Sequence, residues 1–144
     1  MDDKNKSIND KDVKRLVICS GKVFYDLFEA REKNKLFNIK ILRLEQIYPF
    51  PIKSLQEFIC KTPQAEIIWC QEEPENMGSW SFIDRRLEKV LIDCNCKYKR
   101  PVYVGRPEAA SPATGTMSRH LKEQKLLVNQ ALGLEKINTA SAAE

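Results

Sequence analysis

Apolar residues along this chain fall into short unbroken runs that alternate with longer stretches at helical spacing. Arg15-Leu16-Val17-Ile18-Cys19 is the first run, and Ser20-Gly21-Lys22 ends it. A continuous run of this kind is the signature of a strand covered on both faces. From Val23 to about Lys35, Val23, Phe24, Leu27, Phe28 and Ala30 follow helical spacing while Asp26, Glu29, Arg31 and Lys33 take the other face. The unit then repeats. Ile39 to Leu44 predicts a second strand with Glu45-Gln46 as its polar exit, and the prolines of Tyr48-Pro49-Phe50-Pro51 exclude helix until about Pro51. Ile52, Leu55, Phe58 and Ile59 mark a second helix. Ile67 to Cys70 reads as strand three, with Gln71-Glu72-Glu73 as a polar exit that Pro74 and Gly78 break. Trp80, Ile83, Leu87, Val90 and Leu91 then outline a third helix. Pro101 to Val104 is a fourth strand, Gly105 to Gly115 a loop by composition, and Met117, Leu121, Gln124 and Val128 trace one face of a last helix capped by Thr116 or Ser118.

Four strand–helix alternations predict an α/β fold of three layers: a mainly parallel sheet with helices on both faces, because each crossover must be covered. Every polar cluster noted above follows directly on a strand, so all of them are expected along the carboxyl edge of the sheet, where open α/β folds bind ligands. Residues 1–12 are polar with almost nothing to bury and read as a disordered leader, residues 13–134 as one domain, and residues 135–144 as a flexible tail.

Length and composition narrow the class. With 144 residues, 42% hydrophobic, the chain holds one domain with a real core. Its 24 basic and 20 acidic residues are scattered, without the dense basic stripe that nucleic acid requires. No apolar run approaches the roughly 20 residues of a membrane span, and the first twelve residues resemble neither a signal peptide nor a transit helix, so a soluble cytoplasmic protein is expected. The five cysteines are odd in number and mostly set in apolar runs, which predicts reduced core thiols rather than a disulfide framework. Cys94-Asn95-Cys96 has neither redox nor zinc spacing, and with His120 as the only histidine no metal site is expected.

Candidate chemistry sits at the strand ends. Glu72 and Glu73 suggest paired carboxylates, but neighbours in an extended segment point to opposite faces, so at most one enters the crevice. The other is expected to pair at an interface or with Arg106. Gly21-Lys22 lacks the upstream glycine of a phosphate loop. A looser anion site remains open, built from Ser20, Gly21, Lys22 and Arg106 at the start of the first helix, with a plain capping turn as its alternative. Cys70 with His120 is a poor nucleophile–base pair, since burial in a strand leaves a thiol inert; His120 is expected to meet the neighbouring loop or a partner chain.

The runs CSGKVFYDL (Cys19 to Leu27), RLEQIYPFP (Arg43 to Pro51), WCQEEPENMGSW (Trp69 to Trp80) and GRPEAASPATGTMSRH (Gly105 to His120) resemble, in this order, the C-terminal domain of the decarboxylating component of 2-oxoglutarate dehydrogenase complexes. The resemblance, from about Val13 to Leu132, implies a transketolase-type C-terminal α/β domain. It implies further that the whole enzyme decarboxylates 2-oxoglutarate on thiamine diphosphate with Mg2+ and passes the succinyl group to a lipoyl arm of the next component, in the citric acid cycle. The family's cofactor-binding domains and catalytic residues lie upstream and have no matching position here, so no catalytic residue carries over and no cofactor is expected on this chain alone. What carries over is packing against those upstream domains, assembly of a homodimer and, in some members, binding of an acyl-coenzyme A or nucleotide effector. Lys22 and Arg106 are the candidates for anionic contacts, Glu72 and Glu73 for interdomain contacts, and Trp69, Trp80 and His120 for packing at such an interface. Pro107-Glu108-Ala109-Ala110 departs from the small, serine-containing form common in the family. The rival expectations are a free regulatory module for acyl-coenzyme A or adenine nucleotide, and a split-gene remnant without function.

Overall fold

The computed structural model describes residues 8–106 and 117–137. Its elements run β1 (Arg15–Cys19), α1 (Val23–Lys33), β2 (Ile39–Arg43), α2 (Ile52–Ile59), β3 (Glu66–Pro74), α3 (Trp80–Asp93), β4 (Val102–Arg106) and α4 (Met117–Ala131). The strands form one sheet in the order β2-β1-β3-β4, and every pair is parallel. The three-layer α/β architecture expected from the hydrophobic runs is therefore the one observed. Parallel pairing brings all four carboxyl ends, and the polar cluster after each, to one edge.

Both faces of the sheet are covered, as the unbroken apolar runs require. Leu16, Ile18, Ile67 and Trp69 pack with Leu55 and Ile59 of α2 and with Ile83 and Leu87 of α3. Val17, Cys19, Ile68 and Cys70 pack on the other side with Val23 and Leu27 of α1 and with Leu127 and Val128 of α4. Alternate residues of β1 and β3 thus serve opposite cores, the period-two consequence of extended backbone.

Several boundaries differ from expectation. β3 continues through the acidic residues to Pro74, with an irregularity in its pairing to β4 between Cys70 and Pro74. Gln71 is buried and accounts for this extension, as described below. The leader expected over residues 1–12 is packed over its last part: Ile8 is buried in the α2/α3 core, Asp10–Asp12 forms a short 3-10 turn, and Asp10 pairs with Lys40. Gln64 Nε2 also donates to the carbonyls of Asp10 and Val13, so an apolar residue and two polar partners, Lys40 and Gln64, hold the segment. The tail expected from residue 135 likewise begins bound, since Gln130 Nε2 donates to the Lys136 carbonyl and Ile137 packs on the α1/α4 core. Residues 1–7 and 138–144 and the cap candidate Thr116 lie outside the described residues.

The cysteines require a further correction. Cys60 and Cys94 form a disulfide, whereas Cys19, Cys70 and Cys96 are free and buried. Each bridged residue is the C-cap of its helix, α2 and α3 respectively. These helices pack side by side and end at the same level, which sets the two Cα atoms 5.0 Å apart, inside the range a disulfide spans. No described helix is long and apolar enough to cross a membrane.

Candidate functional site at the carboxyl edge of the sheet

β1 and β3 are neighbours, yet the chain leaves them in opposite directions: α1 covers one face of the sheet and α3 the other. This is the topological switch point of the fold, the place where such sheets open a crevice. Two of the expected site residues meet there. Lys22, at the N-cap position of α1, places Nζ 3.1 Å from Oε2 of Glu72 in β3. Gly21 makes this approach possible, because its φ of +83° turns the chain out of β1 in a conformation that side-chain-bearing residues rarely adopt. Ser20, half-buried, completes the turn. The Lys22 side chain is largely exposed, so the pair closes the mouth of the crevice more than it stabilises the fold.

Arg106, the last residue of β4, is buried and looks elsewhere. Its Nη2 lies 3.0 Å from His120 Nδ1, and its Nε 3.4 Å from Glu123 Oε2, both on α4. With β3 interposed, the carboxyl ends of β1 and β4 are about 10 Å apart. Lys22 and Arg106 each meet a carboxylate, Glu72 and Glu123 respectively, and His120, which lies against Arg106, lines with Lys22 a groove between α1 and α4. Pro107 to Ala110 lie outside the described residues.

Glu73 is exposed, as expected of the neighbour of a crevice-facing Glu72. Trp69 cannot serve an interface with another domain, because it is wholly buried within this one. Its indole N–H donates to Gln71 Oε1 at 2.9 Å. Trp80 is half-buried at the start of α3, with its ring 5.4 Å from that of Tyr103. Cys70 is inert, since burial pushes its thiol pKa well above the usual value and the adjacent Cys19 and Glu72 push it further.

The residue that the polar cluster conceals is Gln71. Its Oε1 accepts from Trp69 Nε1 and from the Trp80 amide at 3.2 Å, while its Nε2 reaches the carbonyls of Glu73, Pro74 and Met77 at 3.1, 2.9 and 2.8 Å. One buried amide thereby shapes the whole β3–α3 turn and supplies an acceptor to the first turn of α3. Gly105 permits the approach of β4, because a Cβ there would stand 2.6 Å from the Gln71 carbonyl oxygen and 2.5 Å from Tyr103 Oη. The signal available in sequence was an amide directly after an apolar strand, two residues beyond Trp69 and three before Pro74.

A groove of about 790 Å³ runs between α1 and α4, with Lys22 and His120 at one end and Lys33 and Leu134 among its other lining residues. Among the described residues, no three His, Cys, Asp or Glu side chains are grouped to hold a metal ion.

Comparison with known proteins agrees with this architecture. The profile of the family described as 2-oxoglutarate dehydrogenase C-terminal matches residues 1–132. The proteins named 2-oxoglutarate dehydrogenase E1 component from Brucella anthropi, Brucella ovis and Brucella canis are each 52% identical to this chain over 124 residues. That alignment covers 86% of the chain and 12% of each relative, so the chain spans about an eighth of their length.

Proposed function

Because the chain belongs to the 2-oxoglutarate dehydrogenase C-terminal family, we propose that it is the C-terminal domain of a 2-oxoglutarate dehydrogenase decarboxylating component and acts by assembly with the remainder of that enzyme. The observation that carries this reading is the 52% identity over 124 residues confined to 12% of the relatives' length. In the assembled enzyme, 2-oxoglutarate is decarboxylated on thiamine diphosphate and Mg2+, and the succinyl group passes to a lipoyl-bearing succinyltransferase. The proposal places this chemistry outside the present residues. Two features support that: the Cys70 thiol is sealed in the core, and Glu72, the carboxylate of the crevice, is held by Lys22.

What the domain contributes is a rigid surface for its neighbours and for a homodimer. The test is complementation. The purified chain is mixed with a Brucella ovis enzyme lacking the segment that this chain matches, and 2-oxoglutarate-dependent reduction is assayed. Restored turnover is expected; failure of the two pieces to associate at micromolar concentration rejects the proposal.

A further inference from the structure

The carboxyl edge of an open α/β sheet is ordinarily where small ligands bind. Here its surface has another character. Among the described residues, the four most exposed large hydrophobic side chains are Tyr48 (81%), Met117 (72%), Leu121 (60%) and Tyr25 (59%). All four belong to the same edge: Tyr48 lies in the connection leaving β2, Tyr25 is the third residue of α1, and Met117 and Leu121 are the first and fifth residues of α4. The next most exposed, Ile92, lies at the far end of α3, on the amino edge. The amino edge carries less exposed members of the set, Ile92 (54%), Phe37 (49%), Tyr98 (42%) and Leu134 (41%), so the two edges differ in degree: the four side chains that protrude most stand together on the carboxyl edge. Apolar surface concentrated on one side of a small domain marks a surface that another protein covers.

We propose that this ring of apolar residues around the Lys22–Glu72 pair is the surface on which the preceding domains of the dehydrogenase dock, so that the crevice edge serves as a protein interface. The inference rests on the function proposed above and names the surface through which it works. The occupant follows from length: the chain matches about an eighth of its relatives, under a family described as C-terminal, so the protein available to cover the ring is the remaining, preceding part. The edge also has the anatomy of an interface. Aromatic and methionine side chains form its apolar element, and Tyr48 stacks edge-to-face on Phe82 at 6.2 Å, which holds it in place before binding. The charged groups at its centre are already paired, so docking leaves no lone charge there without a partner.

The test compares two variants, both confined to exposed positions and checked by circular dichroism for native fold. One carries Tyr48→Ser with Met117→Ser, the other Ile92→Ser with Phe37→Ser on the opposite edge. Binding of each to the truncated Brucella ovis enzyme is measured by sedimentation velocity and calorimetry. The rim variant is expected to bind at least about tenfold more weakly, about 1.4 kcal/mol, and the opposite-edge variant within about twofold of the unaltered chain. Rim substitution without effect overturns the surface and leaves the proposed function standing. A chain that by itself sediments as a dimer, which the rim variant alone dissociates, also overturns it, because the occupant is then a second copy. If the unaltered chain does not bind, the proposed function fails and this inference falls with it.

Discussion

Gln71 commits both ends of its side chain inside the fold, and the consequences are measurable one residue at a time. Replacing it with Ala leaves the Trp69 indole N–H buried without an acceptor and opens a gap beneath the β3–α3 turn. Gln71→Ala is expected to lower stability by about 2–4 kcal/mol in urea titration, the sum of an unsatisfied donor and lost packing. Gln71→Glu is the sharper control: it keeps the acceptor for Trp69 but turns a carboxylate towards the carbonyls of Glu73, Pro74 and Met77, so it is expected to be no better. Gly105→Ala acts on the same contact from β4. The new methyl group meets the Gln71 carbonyl oxygen, a backbone atom with no room to yield, and a loss of about 1–3 kcal/mol is expected in the same titration. Gln71 was visible in the sequence only as one member of a polar exit. A glutamine that ends a strand and a glutamine that extends it differ in where its hydrogen bonds go, and those partners lie up to nine residues downstream.

The order and kind of the elements were readable because every strand is buried on both faces and every helix is amphipathic. The starts of β1, α1, β2, α2 and α3 fall where apolar periodicity changes. Two features at this scale were not readable. Met117 and Leu121 share an apolar face with Val128, yet only Val128 reaches the sheet, because periodicity records that a face is apolar and not whether this domain or another covers it. Cys60 and Cys94 are 34 residues apart, and nothing local announces that α2 and α3 end together. Closing a loop of that length restrains the unfolded chain, so a reductant, or Cys60→Ser with Cys94→Ser, is expected to lower stability by about 2–4 kcal/mol, checked by calorimetric melting with and without dithiothreitol. After reduction Cys60, which is exposed, is expected to alkylate first, ahead of the core thiols Cys19, Cys70 and Cys96, as followed by peptide mass spectrometry.

At the scale of the whole molecule, the sheet that brings the polar clusters to one edge also places Cys19 and Cys70 side by side, as register partners on β1 and β3 within the α1/α4 core. Burial pushes the Cys19 thiol up from 9.0 to about 12, raises Cys70 well above its usual value, and raises the Tyr103 phenol as well. A group whose pKa is raised by folding holds its proton more firmly in the native state. The stability it provides is complete below the unfolded pKa, near 9 for a thiol, and is lost as pH climbs towards the folded value. Each such group contributes a slope of up to about 1.4 kcal/mol per pH unit in that window. The fold is therefore expected to weaken steeply between about pH 9 and about pH 11 while staying level from about pH 7 to about pH 8.5, as read from urea midpoints. Cys19→Ala with Cys70→Ala removes two of the titrating groups and is expected to flatten the alkaline limb even though the cavities lower stability at neutral pH. Parallel curves for the variant and the unaltered chain would show that the alkaline loss comes from other groups, with the Cys19 and Cys70 thiols taking no part.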